Sequence, residues 1–129
     1  MRAPKSILVI DDDRDVLEIL RASLNIFGEF EVATALTGAD GCHLAENQAY
    51  DVVITDLIMP GIDGEKVIDK IRASGPSKDC LMFVLTGTAD VAEALQIPGA
   101  VVISKPIDPN SIVDMIWMHW QRKHSKPKE

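Results

Sequence analysis

The chain has 129 residues and a formal net charge of −7 at pH 7, with 47% hydrophobic and 26% charged residues. These values are typical of one globular domain, and the acidic balance disfavours direct nucleic-acid binding. No apolar run is long enough for a transmembrane helix and the start of the chain has no secretory signal, so the sequence predicts a cytoplasmic protein without membrane contact.

Short β-rich runs alternate with longer helical patterns along the chain, without an internal repeat. The predicted strands are 6–10, 29–35, 51–55, 81–85 and 100–103. The predicted helices are about 14–27, 38–47, 64–73, 89–96 and 109–122. Asp13, Thr37 and Asp108 are the expected N-caps, because their side-chain oxygens can accept hydrogen bonds from the first amides of a helix.

Five strands that are apolar on both faces and alternate with helices indicate an α/β fold with a parallel sheet. Right-handed crossovers then favour a three-layer αβα sandwich, a doubly wound five-stranded sheet with the flavodoxin-like order 2-1-3-4-5. In such a fold, ligands bind beyond the carboxyl ends of the strands. The residues that directly follow each strand are therefore the candidates for chemistry.

Polar or charged residues follow four of the five predicted strands. They are Asp11 and Asp12 after strand 1, Asp56 after strand 3, Thr86 after strand 4 and Lys105 after strand 5. Taken singly, Asp12 and Asp56 could each cap a helix or turn, and Lys105 could be a surface lysine. Thr86 alone could stabilise a turn. Together, they predict one site at one edge of the sheet.

Three neighbouring carboxylates repel one another, and a hard divalent cation such as Mg²⁺ or Mn²⁺ relieves that repulsion through oxygen ligands. Lys105 adds a fixed positive charge from the other side. A carboxylate between a metal and an ammonium group is suited to receive a phosphoryl group, because both cations neutralise the charge that develops on its oxygens.

Four stretches of the chain, in order, resemble the receiver domain of two-component response regulators. They are ILVIDDD, DVVITDLIMPGIDG, VLTG and SKP, and the resemblance extends over residues 6–120. The second stretch contains the specific pattern D-x-x-M-P-x-x-x-G. The resemblance implies a signalling switch of a phosphorelay that catalyses only its own phosphorylation and dephosphorylation.

The resemblance also implies roles for individual residues. Asp56 would be the phosphoacceptor, supplied by a histidine kinase or a histidine phosphotransfer protein. Asp12, Asp56 and the backbone carbonyl of Ile58 would bind Mg²⁺ or Mn²⁺ directly, and Asp11 mainly through water. Because Ile58 offers no polar side chain to place a hydrolytic water, a long-lived phosphate is expected.

Lys105 would contact the phosphoryl group, and Thr86 would move to hydrogen-bond it. This movement would change the face formed by strand 4, helix 4 and strand 5. Val102 is atypical, because the family often has Tyr or Phe at this switch position. The chain between Thr86 and Lys105 is also shorter than usual, which predicts a short and mobile or displaced fourth helix.

Two other functions compete with this interpretation. A small phosphatase of the haloacid dehalogenase kind would use the D-x-D of residues 11–13, but Asp15 stands where that family has Thr or Val and its late acidic pair is missing. A receiver-like interaction module would lack the acceptor or the lysine, and neither is lacking. The downstream protein target is unknown from the sequence.

The remaining predictions concern packing and the end of the chain. We expect Cys42 and Cys80 to be buried reduced thiols, and His43, His119 and His124 to be solvated. We also expect a domain over residues 1–122, followed by a basic flexible tail or linker over 123–129.

The last predicted helix has one strongly apolar face. Val113, Ile116, Trp117 and Trp120 share this face and are expected to pack mainly on the core. The remaining apolar surface could serve a partner or a phosphorylation-dependent dimer.

Overall fold

A parallel sheet of five strands is the centre of the fold in the computed structural model, which describes residues 2–125. In chain order the strands are β1 (Ser6–Ile10), β2 (Glu31–Ala35), β3 (Val52–Asp56), β4 (Leu81–Thr86) and β5 (Ala100–Ser104). Their spatial order is β2-β1-β3-β4-β5, so the predicted flavodoxin-like arrangement is confirmed.

Helices cover both faces of the sheet. They are α1 (Arg14–Gly28), α2 (Gly38–Asn47), α3 (Gly64–Ala73), α4 (Val91–Ala94) and α5 (Pro109–His124), with a 3-10 turn, Thr88–Asp90, directly before α4. One core cluster joins α1 and α5 to the sheet, and a second joins α2, α3 and α4 to its other face. The three-layer sandwich is therefore confirmed.

The predicted helix caps are present. The side chains of Asp13, Thr37 and Asp108 accept hydrogen bonds from amides of α1, α2 and α5 at 2.9, 3.1 and 3.1 Å. Helix α1 ends one residue later than predicted, with Glu29 in the left-handed region at φ 57°. Gly28 is needed for space, because a Cβ there would lie 2.3 Å from the ring of Phe30.

The link between β4 and β5 is short. This segment, residues 87–99 and here called the β4–β5 connection, contains the 3-10 turn and the four residues of α4 instead of the helix predicted over 89–96. It returns to the sheet through Pro98 and Gly99, and the Arg72 guanidinium donates a hydrogen bond to the Pro98 carbonyl. The predicted shortness is confirmed, whereas the predicted mobility stays a prediction.

The start of the chain is attached to the end of α5. The Arg2 guanidinium pairs with Asp51 at 2.8 Å, and the Trp120 indole donates a hydrogen bond to the Arg2 carbonyl at 2.7 Å. Helix α5 continues two residues beyond the end predicted at 122, and residues 126–129 of the predicted tail lie outside the described residues. Within residues 2–125, no helix is long and apolar enough to cross a membrane.

The side-chain predictions for His119 and Trp117 on α5 need correction. His119 is half-buried and meets Phe83 of β4 edge to face, with ring centroids 5.8 Å apart, because the sheet lies under this part of the helix. His124 is exposed, as predicted, and its ring packs against that of Trp120. Trp117 is 38% exposed, since the rotation of α5 turns Ile112 into the core instead.

Of the three remaining packing predictions, those for His43 and Cys42 are confirmed. His43 is exposed as expected, and Cys42 is a buried free thiol. Cys80 is also free but only half-buried.

Candidate functional site

The carboxyl ends of β1, β3 and β5 bring four charged side chains together, and we call this group the acidic edge: Asp11, Asp12, Asp56 and Lys105. Asp56 is the last residue of β3 and is hydrogen-bonded into the sheet opposite Leu85. Asp11 directly follows β1 and is 0% exposed, whereas Asp56 is 7% exposed and Asp12 is open to solvent. The site is therefore buried at its base and open on one side.

The three carboxylates fit a divalent cation. One oxygen from each of Asp11, Asp12 and Asp56 lies within 4.8 Å of the others. Oxygen ligands with an open side for water are what Mg²⁺ prefers in proteins. The carboxylates predicted to form one site are thus close enough to share one ion.

Lys105 is the counter-charge of the two buried carboxylates. Its Nζ lies 3.3 Å from Asp11 Oδ2 and 3.3 Å from Asp56 Oδ1. Burial lowers the pKa of Lys105, but the charges of the two aspartates outweigh it, so the net pKa is raised. Lys105 is therefore a fixed cation against the base of the site.

Burial dominates the electrostatics of both buried carboxyls. Burial raises the pKa of Asp11, opposed by a hydrogen bond from the Asp13 amide and by Lys105. Burial and then the charge of Asp11 raise the pKa of Asp56, again opposed by Lys105. Both raised pKa values mean that the ionised carboxylates are less stable at the acidic edge than in water, and a bound cation would favour the ionised forms.

A backbone hydrogen bond and a glycine fix the local geometry of the acidic edge. The Asp13 amide donates to Asp11 Oδ1 at 2.9 Å, so Asp13 both caps α1 and fixes the neighbouring carboxylate. At Gly64, an added Cβ would lie 2.3 Å from the Asp56 carbonyl oxygen. Gly64 therefore allows α3 to begin directly against the end of β3.

The predicted switch residues lie beside the acidic edge. Thr86 is buried at the end of β4, and its hydroxyl donates to the Gly87 carbonyl at 3.2 Å instead of to a carboxylate. The Lys105 amide donates to the Thr86 carbonyl at 2.7 Å, which joins the ends of β4 and β5. Val102 is half-buried on β5, paired with Val84.

Ile58, the predicted carbonyl ligand, follows Asp56 by two residues, just beyond the end of β3. Its side chain is 56% exposed. The residues on either side of it in the sequence, Leu57 and Met59, are both buried. An exposed apolar side chain at this position cannot hydrogen-bond to a water molecule.

Comparisons with known proteins agree with this geometry. A profile of the family described as "Response regulator receiver domain" matches residues 7–117. Response regulator MprA from Mycobacterium sp. (strain KMS) is 40% identical over 90 residues, which are 70% of this chain and 38% of that protein. The chain thus spans well under half the length of this curated relative.

Solved structures share the fold. A response regulator receiver domain protein from Clostridium thermocellum has a TM-score of 0.81 at 31% identity, covering 92% of this chain and 96% of that one. A CheY-like receiver domain protein from Methanospirillum hungatei JF-1 has a TM-score of 0.82 at 24% identity, covering 97% and 100%. The second likeness concerns the fold alone.

Proposed function

The chain belongs to the response regulator receiver domain family, and we propose that it acts as a phosphorelay switch with Asp56 as the phosphoacceptor. The observation that carries this proposal is the position of Asp56 at the end of β3, with Lys105 Nζ 3.3 Å from its Oδ1 and Asp11 and Asp12 beside it. Asp11 has the same ammonium partner but is fully buried beyond the end of β1, whereas Asp56 closes β3 and keeps 7% exposure.

The proposed reaction transfers a phosphoryl group from a phosphohistidine to Asp56. A carboxylate oxygen of Asp56 attacks phosphorus, the new O–P bond forms as the N–P bond breaks, and the leaving imidazole takes up a proton. Asp56 must be ionised to attack, and Lys105 favours that state at 3.3 Å. Its ammonium group is also close enough to contact the incoming phosphoryl oxygens.

We propose that Asp11, Asp12, Asp56 and the Ile58 carbonyl hold Mg²⁺, or Mn²⁺, with Asp11 acting mainly through water. When bound, the ion supplies positive charge that neutralises the carboxylates and the phosphoryl oxygens. The close approach of the three carboxylates and the raised pKa values of the two buried ones support this assignment.

The proposed output is a rearrangement around Thr86. A phosphoryl group on Asp56 would draw the Thr86 hydroxyl away from the Gly87 carbonyl, because a charged acceptor forms a stronger hydrogen bond than a neutral one. The Lys105 amide is bonded to the Thr86 carbonyl, so the movement involves β5 as well as the β4–β5 connection. With Val102 in place of an aromatic residue, this backbone link is the route that we propose for coupling.

The partners follow from the family and remain proposals. The donor is a histidine kinase or a histidine phosphotransfer protein, in the cytoplasm, and the target is a downstream protein. Residues 123–129 would lead to that target as a linker or remain a basic tail. The exposed side chains of Trp117 and Met118 on α5 are available to a phosphorylation-dependent dimer.

The test is phosphate uptake from acetyl phosphate or phosphoramidate with Mg²⁺, measured by intact mass. Wild type should gain one labile phosphate per chain, and Asp56→Asn should gain none. Asp69→Asn is the matched control, because Asp69 is an exposed aspartate of α3 away from the acidic edge. Uptake that survives Asp56→Asn would overturn the assignment.

The same samples test the phosphatase alternative. A receiver domain releases phosphate slowly and from its own aspartate, whereas a phosphatase turns over many phosphate esters. We expect no hydrolysis of p-nitrophenyl phosphate above the Asp56→Asn background. Rapid turnover of the ester by wild type would favour the phosphatase.

A further inference from the structure

A second cavity lies at the opposite end of the sheet from the acidic edge. Its volume is about 540 Å³, and its floor includes Leu81 and Met82 at the start of β4 and Val101 near the start of β5. The five residue steps from Leu81 to Thr86 along β4 place the start of the strand about 16–17 Å from Thr86. It is therefore separate from the proposed phosphoacceptor site.

Positive charge dominates the lining of this cavity. Arg72 from α3, Lys78 from the turn before β4 and Lys123 from α5 line it, with Asp79 as the only acidic lining residue. None of these three cations forms an ion pair with another residue in the described part of the chain. In a protein with a net charge of −7, this grouping concentrates unpaired positive charge in one place.

Arg72 is held in position instead of extending into solvent. It is half-buried, and its guanidinium donates a hydrogen bond to the Pro98 carbonyl. Gly99 adopts a positive φ of 71°, and a Cβ there would lie 3.0 Å from Arg72 Nη2. Gly99 therefore leaves room for the guanidinium, whose remaining donors are available to the cavity.

The other lining groups are suited to an anion. Burial raises the pKa of the Cys80 thiol to about 12, while Arg72 and Lys123 act to lower it, so both cations lie near the same neutral thiol. Burial and the charge of Arg122 lower the pKa of His119, which is a neutral hydrogen-bonding group at pH 7. Apart from Asp79, the wall between the cations is thus polar but uncharged.

We propose that this cavity binds a small organic anion that carries two or more phosphate groups. Three cations from separate elements match a multivalent anion better than a single monovalent ion, and guanidinium groups suit phosphate oxygens. The volume is in the range of small-molecule sites, and the apolar floor can accept the organic part of the ligand.

The test uses inorganic pyrophosphate at constant ionic strength, with EDTA present so that no divalent ion binds at the acidic edge. Calorimetry gives the affinity, and amide chemical shifts locate the site. We expect shifts to concentrate on residues 78–82 and 99–101. The double variant Lys78→Gln/Lys123→Gln, at two exposed positions, should weaken binding by about tenfold or more.

Two controls distinguish this site from general electrostatic attraction and from the acceptor. Lys66→Gln/Lys70→Gln removes the same charge from exposed positions of α3 outside the cavity and should change affinity by less than about twofold. Asp56→Asn should leave it unchanged. Equal losses in both double variants, full affinity without Lys78 and Lys123, or shifts centred elsewhere would each overturn the proposal.

Discussion

The acidic edge and the β4–β5 connection are neighbours in the fold, but they are built in different ways. Asp56 stands on a strand that is buried along its whole length, and Lys105 is tied through its amide to the end of β4. The connection consists of a 3-10 turn and one helical turn, with Leu95 68% exposed. Reacting groups need a fixed geometry, whereas a segment that transmits the phosphorylation signal must be able to rearrange.

The largest expected effect is a loss of phosphate uptake when Lys105 is replaced. Lys105→Gln removes the ammonium that lies 3.3 Å from both buried carboxylates, so the pKa of Asp56 should rise further and phosphate uptake should slow. Loss of a charge-assisted contact predicts a decrease of about tenfold to a hundredfold in the uptake rate from acetyl phosphate.

Leu95→Ala in the connection is the comparison variant for that experiment. Its side chain is exposed and none of the described contacts of the acidic edge involves it, so uptake should stay within about twofold of wild type. Similar losses in both variants would mean that the two regions are not separable, contrary to the account given above.

A smaller effect is expected at Ile58, two residues after Asp56. An asparagine there could hydrogen-bond to a hydrolytic water, which the exposed isoleucine cannot do. Ile58→Asn should therefore speed loss of the aspartyl phosphate by about fivefold, the value of one ordinary hydrogen bond. The same change at exposed Ile26 on α1 is the control, and no acceleration at Ile58 would refute the idea.

The last expected effect concerns a different quantity, the stability of the unphosphorylated protein, where Asp56 and Asp51 act in opposite directions. Burial and Asp11 raise the pKa of Asp56, so the folded state binds its proton more tightly and stability falls as pH rises above about 4. At Asp51, burial is outweighed by hydrogen bonds from the Lys5 and Ser6 amides and from Arg2, so its pKa is lowered. Its contribution is present above about pH 4 and is lost as pH falls through the folded pKa.

Chemical unfolding in EDTA measures this difference. At pH 7, Asp51→Asn should lose about 1–3 kcal/mol, because the hydrogen bonds that its partly buried carboxylate accepts from the Lys5 and Ser6 amides are weakened. Asp56→Asn should be at least as stable as wild type at pH 7, and both differences should shrink on acidification. A clear loss of stability in Asp56→Asn at pH 7 would contradict the repulsion inferred at the acidic edge.

Local signals explain why so much of the fold could be predicted from the sequence. The caps Asp13, Thr37 and Asp108 and the alternation of strands and helices depend on neighbours within a few residues. The position of the acidic edge followed as well, because parallel strands bring their carboxyl ends together. Strand bounds differed by one or two residues, and Asp56 and Thr86 close their strands instead of following them.

The features that could not be predicted depend on backbone groups or on distant parts of the chain. The bonds from the Asp13 amide to Asp11 and from the Lys105 amide to the Thr86 carbonyl have no side-chain signature. The burial of His119 depends on Phe83, which is far away in sequence.

The rotation of α5 and the positively charged lining of the second cavity could not be predicted for the same reason. The rotation of α5 that exposes Trp117 is set by packing on the sheet. The cavity likewise gathers Arg72, Lys78 and Lys123 from three separate elements. Periodicity describes one element at a time and cannot supply such information.

Direct mapping of the phosphorylated residue tests the central claim. Borohydride reduces an aspartyl phosphate to homoserine, which peptide mass spectrometry can locate after treatment with acetyl phosphate and Mg²⁺. The account predicts homoserine at position 56 and at no other aspartate. Homoserine at position 11 or 12 would contradict it and would make the first aspartate of the D-x-D stretch, or its neighbour, the nucleophile.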